Sequence, residues 1–89
     1  MVNSAQPMNT DALMHEAIRR ALELTTENGV SKGLSKQDRL DILKETEPLW
    51  AAQLPGHPGF VRQVFSTAAK VVNGELKFDT AKRFLFSAI

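Results

Sequence analysis

The sequence predicts an all-α fold, a small bundle of four main helices with a proline-kinked second helix, on three observations. Apolar residues recur at helical spacing over two long segments, 13–24 and 61–72. Residue types suited to helix ends, Asn28-Gly29, Asn73-Gly74 and the Ser35 to Asp38 box, fall at the borders of helical segments. The 89 residues suit one domain of ordinary globular composition, 43% apolar and 24% charged. No cysteine is present, so no disulfide framework, thiolate nucleophile or cysteine zinc site is available and a small core must hold the fold alone.

Residues 1–9 read as a flexible lead-in, mixing Asn, Ser, Gln and Pro without an apolar period, and residues 10–89 as a single helical domain. In the first helix Leu13, Met14, Ala17, Ile18, Ala21, Leu22 and Leu24 oppose His15, Glu16, Arg19, Arg20, Glu23 and Glu27. Thr10 is its expected cap and Asn28-Gly29 its expected exit. Val30 to Leu34 reads as a linker. Ser35-Lys36-Gln37-Asp38 then resembles a capping box with Asp in place of the usual Glu, opening a helix whose apolar side carries Leu40, Ile42 and Leu43.

Pro48 disfavours helical geometry at Glu47, so this second helix is expected to end or bend near Thr46. Pro48 suits the first turn of a short helix through Leu49, Trp50, Ala51 and Leu54. The two prolines and two glycines of Pro55-Gly56-His57-Pro58-Gly59 predict a defined turn. In the third helix Val61, Val64, Phe65, Ala68, Val71 and Val72 face one way and Arg62, Gln63, Ser66, Thr67, Lys70 and Asn73 the other. Asn73-Gly74 is read as its exit, the alternative being an α+β fold with a short hairpin there. Asp79 is the expected cap of a last helix that presents Ala81, Phe84, Leu85 and Ala88 on one side, with Phe86 and Ile89 off that side.

The function classes narrow by exclusion. The longest apolar run, Leu49 to Ala52, is far short of the ~20 residues of a membrane span. The polar start, Met1 to Thr10, lacks a basic stretch followed by an apolar one, so no secretory signal is expected and the setting is read as cytoplasmic. The chain stops inside the apolar run Phe84 to Ile89 without a capping glycine, a pattern compatible with truncation. Neither a phosphate-binding glycine loop nor a Gly-x-Ser-x-Gly elbow occurs. The two histidines, His15 and His57, lie in no zinc-binding spacing and read as an exposed helix residue and a turn residue. No enzyme activity, cofactor or metal site is therefore expected.

What remains is surface. Asp38, Asp41 and Glu45 lie at i, i+3, i+7, along one side of the second helix. They read as a solvated stripe or as a surface for a basic partner, and no glycine-centred calcium loop accompanies them. Net charge is +1 overall but uneven, −2 over residues 1–47 and +3 over residues 48–89, where all six aromatics lie. On the third helix Arg62, Ser66, Lys70 and Asn73 recur along the polar face in an order that suits a phosphate backbone, although two charges are few for that purpose. Trp50, the sole tryptophan, reads as the centre of a small core.

Phe86 and Ile89, with Lys82 beside them, give the last helix a second apolar side that a four-helix core has little means of covering. The functional expectation is accordingly a non-enzymatic interaction module, a regulator or adaptor, binding another protein or forming a homodimer through its last helix. Its acidic stripe is a secondary surface. The alternative is a DNA- or RNA-binding domain using the polar face of residues 60–73, and no membrane partner is expected.

Overall fold

The computed structural model describes residues 9–89, so the lead-in expected over residues 1–9 lies outside the described residues except for Asn9. Four α-helices follow in order, α1 (Thr10–Glu23), α2 (Lys36–Gln53), α3 (Pro58–Val72) and α4 (Phe78–Phe86), with one 3-10 turn at Gly29–Ser31. Helix α3 packs on α1, α2 and α4, while α1 also meets α2 and α4. The apolar face of α3 explains that central place: Val61, Val64, Phe65, Ala68 and Val72 are buried at helical spacing. Around it close Ala17, Ile18, Ala21 and Leu22 of α1, Leu43 and Trp50 of α2, Leu54 beyond α2, and Ala81 and Leu85 of α4.

Helix α1 starts on Asn9, whose side chain accepts a hydrogen bond from the Ala12 amide at 2.7 Å, and Thr10, the expected cap, is its first helical residue. It stops at Glu23, five residues before the expected exit at Asn28-Gly29. The cause is local competition for carbonyls, since Thr25 Oγ1 donates to Leu22 O at 2.7 Å and Thr26 Oγ1 donates to Glu23 O at 3.4 Å. Asn28-Gly29 instead opens the 3-10 turn, with Gly29 at φ 59°. Within the expected linker Ser31 is fully buried, and its hydroxyl donates to Glu23 O at 3.0 Å.

The capping box of α2 forms as read: the Asp38 amide donates to Ser35 Oγ at 3.0 Å and the Ser35 amide donates to Asp38 Oδ2 at 3.3 Å. Of the two outcomes expected near Thr46, an end or a bend, the end does not occur: α2 runs through Pro48 to Gln53 as one helix. Pro48 and Lys44 are both exposed, so the hydrogen bond that proline forfeits falls on the wet side. Meanwhile Leu43, Trp50 and Leu54, at i, i+7, i+11, hold the stretch against the core. Arg39, next to Asp38 in the sequence, is buried, and its Nη1 donates to Thr25 O at 3.2 Å and to Leu24 O at 3.5 Å.

Pro55 and Gly56 make the turn, and the His57 amide donates to Leu54 O at 2.9 Å. Pro58 then takes the first position of α3, where its missing N–H is no loss. At the other end the Glu75 amide bonds Lys70 O at 2.8 Å and the Gly74 amide bonds Val71 O at 3.0 Å, with Gly74 at φ 80°. These two bonds are a Schellman exit, and with no strand among the described residues the hairpin alternative is excluded. Thr67, read on the polar side of α3, is buried.

Leu22 is 4% exposed and belongs to this core. Leu22→Ala is expected to lower stability by ~2–5 kcal/mol in urea denaturation without changing helix content, since it removes a buried apolar side chain from its packing.

Candidate functional site

Helix α4 is nine residues long and sits on the core through Ala81 and Leu85, one turn apart and essentially inaccessible. Its start carries no side-chain cap: Lys77 holds the cap position and Asp79, the expected cap, lies inside the first turn. With Ala81 and Leu85 inward, the row Phe78, Lys82, Phe86 at i, i+4, i+8 borders α1, from which Arg19, Leu22, Glu23 and Thr26 meet it. The two rows enclose a surface groove of about 320 Å³. Its floor is Leu22 with the two phenylalanine rings, and Arg19 and Lys82 stand at its rim. Lys82 and Phe86 also border a shallower depression with Asp79 and Arg83.

Three expectations for this helix are corrected. Phe86 is not free beside Ile89: it is half-buried, and its ring stacks on His15 at a centroid distance of 5.7 Å and an interplanar angle of 27°. Phe84, read as core, is 47% exposed, because α3 and α1 cover only the flank of α4 centred on Ala81 and Leu85. Ala88, also read on the core side, lies beyond the helix end and is exposed. Ile89 is 38% exposed and borders neither depression.

The charges at the groove are fixed from α1. Glu16 accepts hydrogen bonds from Arg19 Nη2 and, at 2.7 Å, from Arg20 Nε, at i+3 and i+4 on the same helix. Arg20, and after it Arg19, hold the Glu16 carboxyl below its ordinary value of 4.5, and the same pairing raises Arg20. Arg19 is thereby held at the rim. Among the described residues Lys82 and Arg83 have no carboxylate within ion-pair distance. His15 Nδ1 lies 2.7 Å from the Asp11 carbonyl, which orients the ring that covers Phe86.

The other sequence candidates lie apart from this groove. Asp38, Asp41 and Glu45 are exposed on α2, but Asp38 is engaged in the capping box and Asp41 accepts from Gln37 Nε2 at 2.9 Å. No group of three or more histidines and acids among the described residues is placed to hold a metal ion. Arg62, Ser66 and Lys70 are exposed on α3, and Asn73 is exposed at its C-terminal cap. Ser66 and Lys70 border a groove with Phe84, while Arg62 and Ser66 border another with Lys44 and Glu47. His57 is exposed at the cap position of α3 and makes no side-chain capping bond. No described helix is long and apolar enough to cross a membrane.

Sequence reasoning missed Arg39, Val30 and Leu49. The signal for Arg39 was its spacing, one helical turn before Leu43 and eleven residues before Trp50, both core residues. Val30 and Leu49 were placed as linker and short-helix residues, yet they are 63% and 64% exposed. No protein family, curated protein or solved structure matches the chain.

The depressed Glu16 value sets a pH dependence. Its contribution to stability is complete above pH 4.5 and is lost as pH falls through the lowered folded-state value. Glu16→Gln is expected to flatten the acid-side fall of the urea midpoint while leaving the shape of the curve at neutral pH unchanged.

Proposed function

We propose that this chain is a non-catalytic binding module whose α1–α4 groove takes an acidic, apolar segment of a partner protein. The observation that carries the reading is the groove itself: an apolar floor of Leu22, Phe78 and Phe86 with two cations, Arg19 and Lys82, against one acid, Glu23, in its lining. An amphipathic segment laying apolar side chains on that floor would remove ring surface from water, and its carboxylates would meet the two cations. Lys82 has no competing intramolecular ion pair among the described residues, so it is available to a partner. A catalytic reading has little to rest on, since His15 is engaged with Phe86 and the Asp11 carbonyl.

A nucleic-acid reading is favoured by one observation, the groove of Ser66 and Lys70 beside exposed Phe84, whose lining contains no acid. It is the weaker reading because Arg62 and Lys70 alone neutralise few phosphates.

One titration separates the two. Isotope-labelled protein is followed by NMR as a short acidic amphipathic peptide is added, and separately as single-stranded and duplex DNA are added at ~50 mM salt. The peptide is expected to shift Leu22, Phe78, Lys82 and Phe86. Lys82→Glu should weaken its binding about fivefold, the loss of an ion pair worth roughly 1 kcal/mol. Shifts confined to α3 on adding DNA, or none at the α1–α4 groove with peptide, would reject the protein-docking reading.

A further inference from the structure

On the other flank of α1 a second groove, of about 410 Å³, runs between the α1 exit and the C-terminal half of α2. Leu24, Trp50 and Phe65 line its bottom, each with less than a tenth of its surface exposed. Val30 and Leu49 stand at its edge as the two most exposed large apolar side chains among the described residues. The adjoining face of α2 is uncharged: after Glu47 the helix reads Pro48-Leu49-Trp50-Ala51-Ala52-Gln53, with Pro48, Leu49, Ala52 and Gln53 exposed. Charge depletion around a concave apolar centre is the pattern of an interface core and not of a wet helix face.

The rim is balanced in charge. It carries one cation and one anion, Arg20 and Glu23, a single turn apart on α1. Arg20 uses only its Nε toward Glu16, so its terminal nitrogens have no partner among the described residues, and Glu23 makes no ion pair there. A strongly charged partner gains nothing from a neutral rim. A surface that holds a knob, Leu49, next to a hollow, and a cation next to an anion, is complementary to itself under a two-fold rotation.

We infer that the chain pairs with a second copy of itself across this groove. Leu49 and Val30 of each copy cover the Trp50 and Leu24 hollow of the other, and Arg20 of each meets Glu23 of the other. The inference does not depend on the α1–α4 docking reading, which uses the neighbouring flank of α1 on the other side of Glu23, a residue that borders both grooves.

The test is the mass of the full chain in solution, by light scattering and sedimentation from ~10 µM to ~1 mM. The expected result is a rise from the 9.9 kDa monomer toward twice that mass, with Trp50 emission moving to shorter wavelength as the dimer forms. Leu49→Asp, at an exposed helical position, should stay monomeric with unchanged helix content, and Val30→Asp provides a second variant outside α2. Arg20→Glu should weaken pairing at least tenfold, and the exchange Arg20→Glu with Glu23→Arg should recover most of it. A wild-type chain that stays monomeric throughout overturns the inference. So does growth beyond the dimer, or a dimer that survives Leu49→Asp but is lost in Phe86→Asp.

Discussion

The buried guanidinium of Arg39 closes the account of the α1 exit, and the positions of the other elements follow from that closure. A helix end leaves carbonyls without intrahelical partners, and a buried one must find them elsewhere. Here the Leu24 amide serves Ala21 O, the Thr25 amide and hydroxyl serve Leu22 O, and Ser31 with Thr26 serves Glu23 O. Leu24 O and Thr25 O remain, on residues that are both only 9% exposed, and Arg39 from α2 reaches them. No carboxylate among the described residues lies within ion-pair distance of Arg39, so the carbonyl dipoles of a helix C-terminus are what the cation meets.

This arrangement ties three parts of the chain. It stops α1 at Glu23, draws the 3-10 turn in under Ser31, and sets the first turns of α2 against the end of α1. With α2 so placed, Leu43, Trp50 and Leu54 reach α3, and that packing carries the helix through Pro48. The groove beneath Val30 and Leu49 exists because the α1 exit and the later part of α2 are held apart at this distance with Trp50 between them. The α1–α4 groove has a different origin, in the short α4 resting on the core through two residues and leaving Phe78 and Phe86 to lean toward α1.

Much of this was legible in the sequence where the cause is local. The amphipathic periods of α1 and α3, the Ser35–Asp38 box and the Asn73-Gly74 exit depend on residues within a turn or two of one another, and the structure has all four. Tertiary causes were not legible. Pro48 breaks isolated helices, and only the burial of Leu43, Trp50 and Leu54 on α3 overrides it. Arg39 has the chemistry of a surface residue until carbonyls 15 and 14 residues earlier are brought to it. At the site, Lys82 and Phe86 were singled out and do share a groove, but Arg19, Leu22 and Phe78 enter it through the packing of α4 on α1. Phe84 and Phe86 exchanged roles for the same reason: a nine-residue helix has two apolar flanks, and its neighbours decide which is covered.

Replacing Arg39 by methionine tests the central role of this side chain most directly, because it keeps an apolar stem of similar reach and removes the donors. Equilibrium urea denaturation is combined with hydrogen exchange at the amides of Ser31 and Leu34, which bond to Asn28 O and Ser31 O. If Arg39 satisfies the α1 exit, Arg39→Met lowers stability by ~1–3 kcal/mol and speeds exchange at both amides, since two buried carbonyls lose their donor. An Arg39→Met protein as stable as the parent or more so, with exchange at Ser31 and Leu34 unchanged, would contradict the account. That result would mean that the cost of burying the cation outweighs what it gives to Leu24 and Thr25.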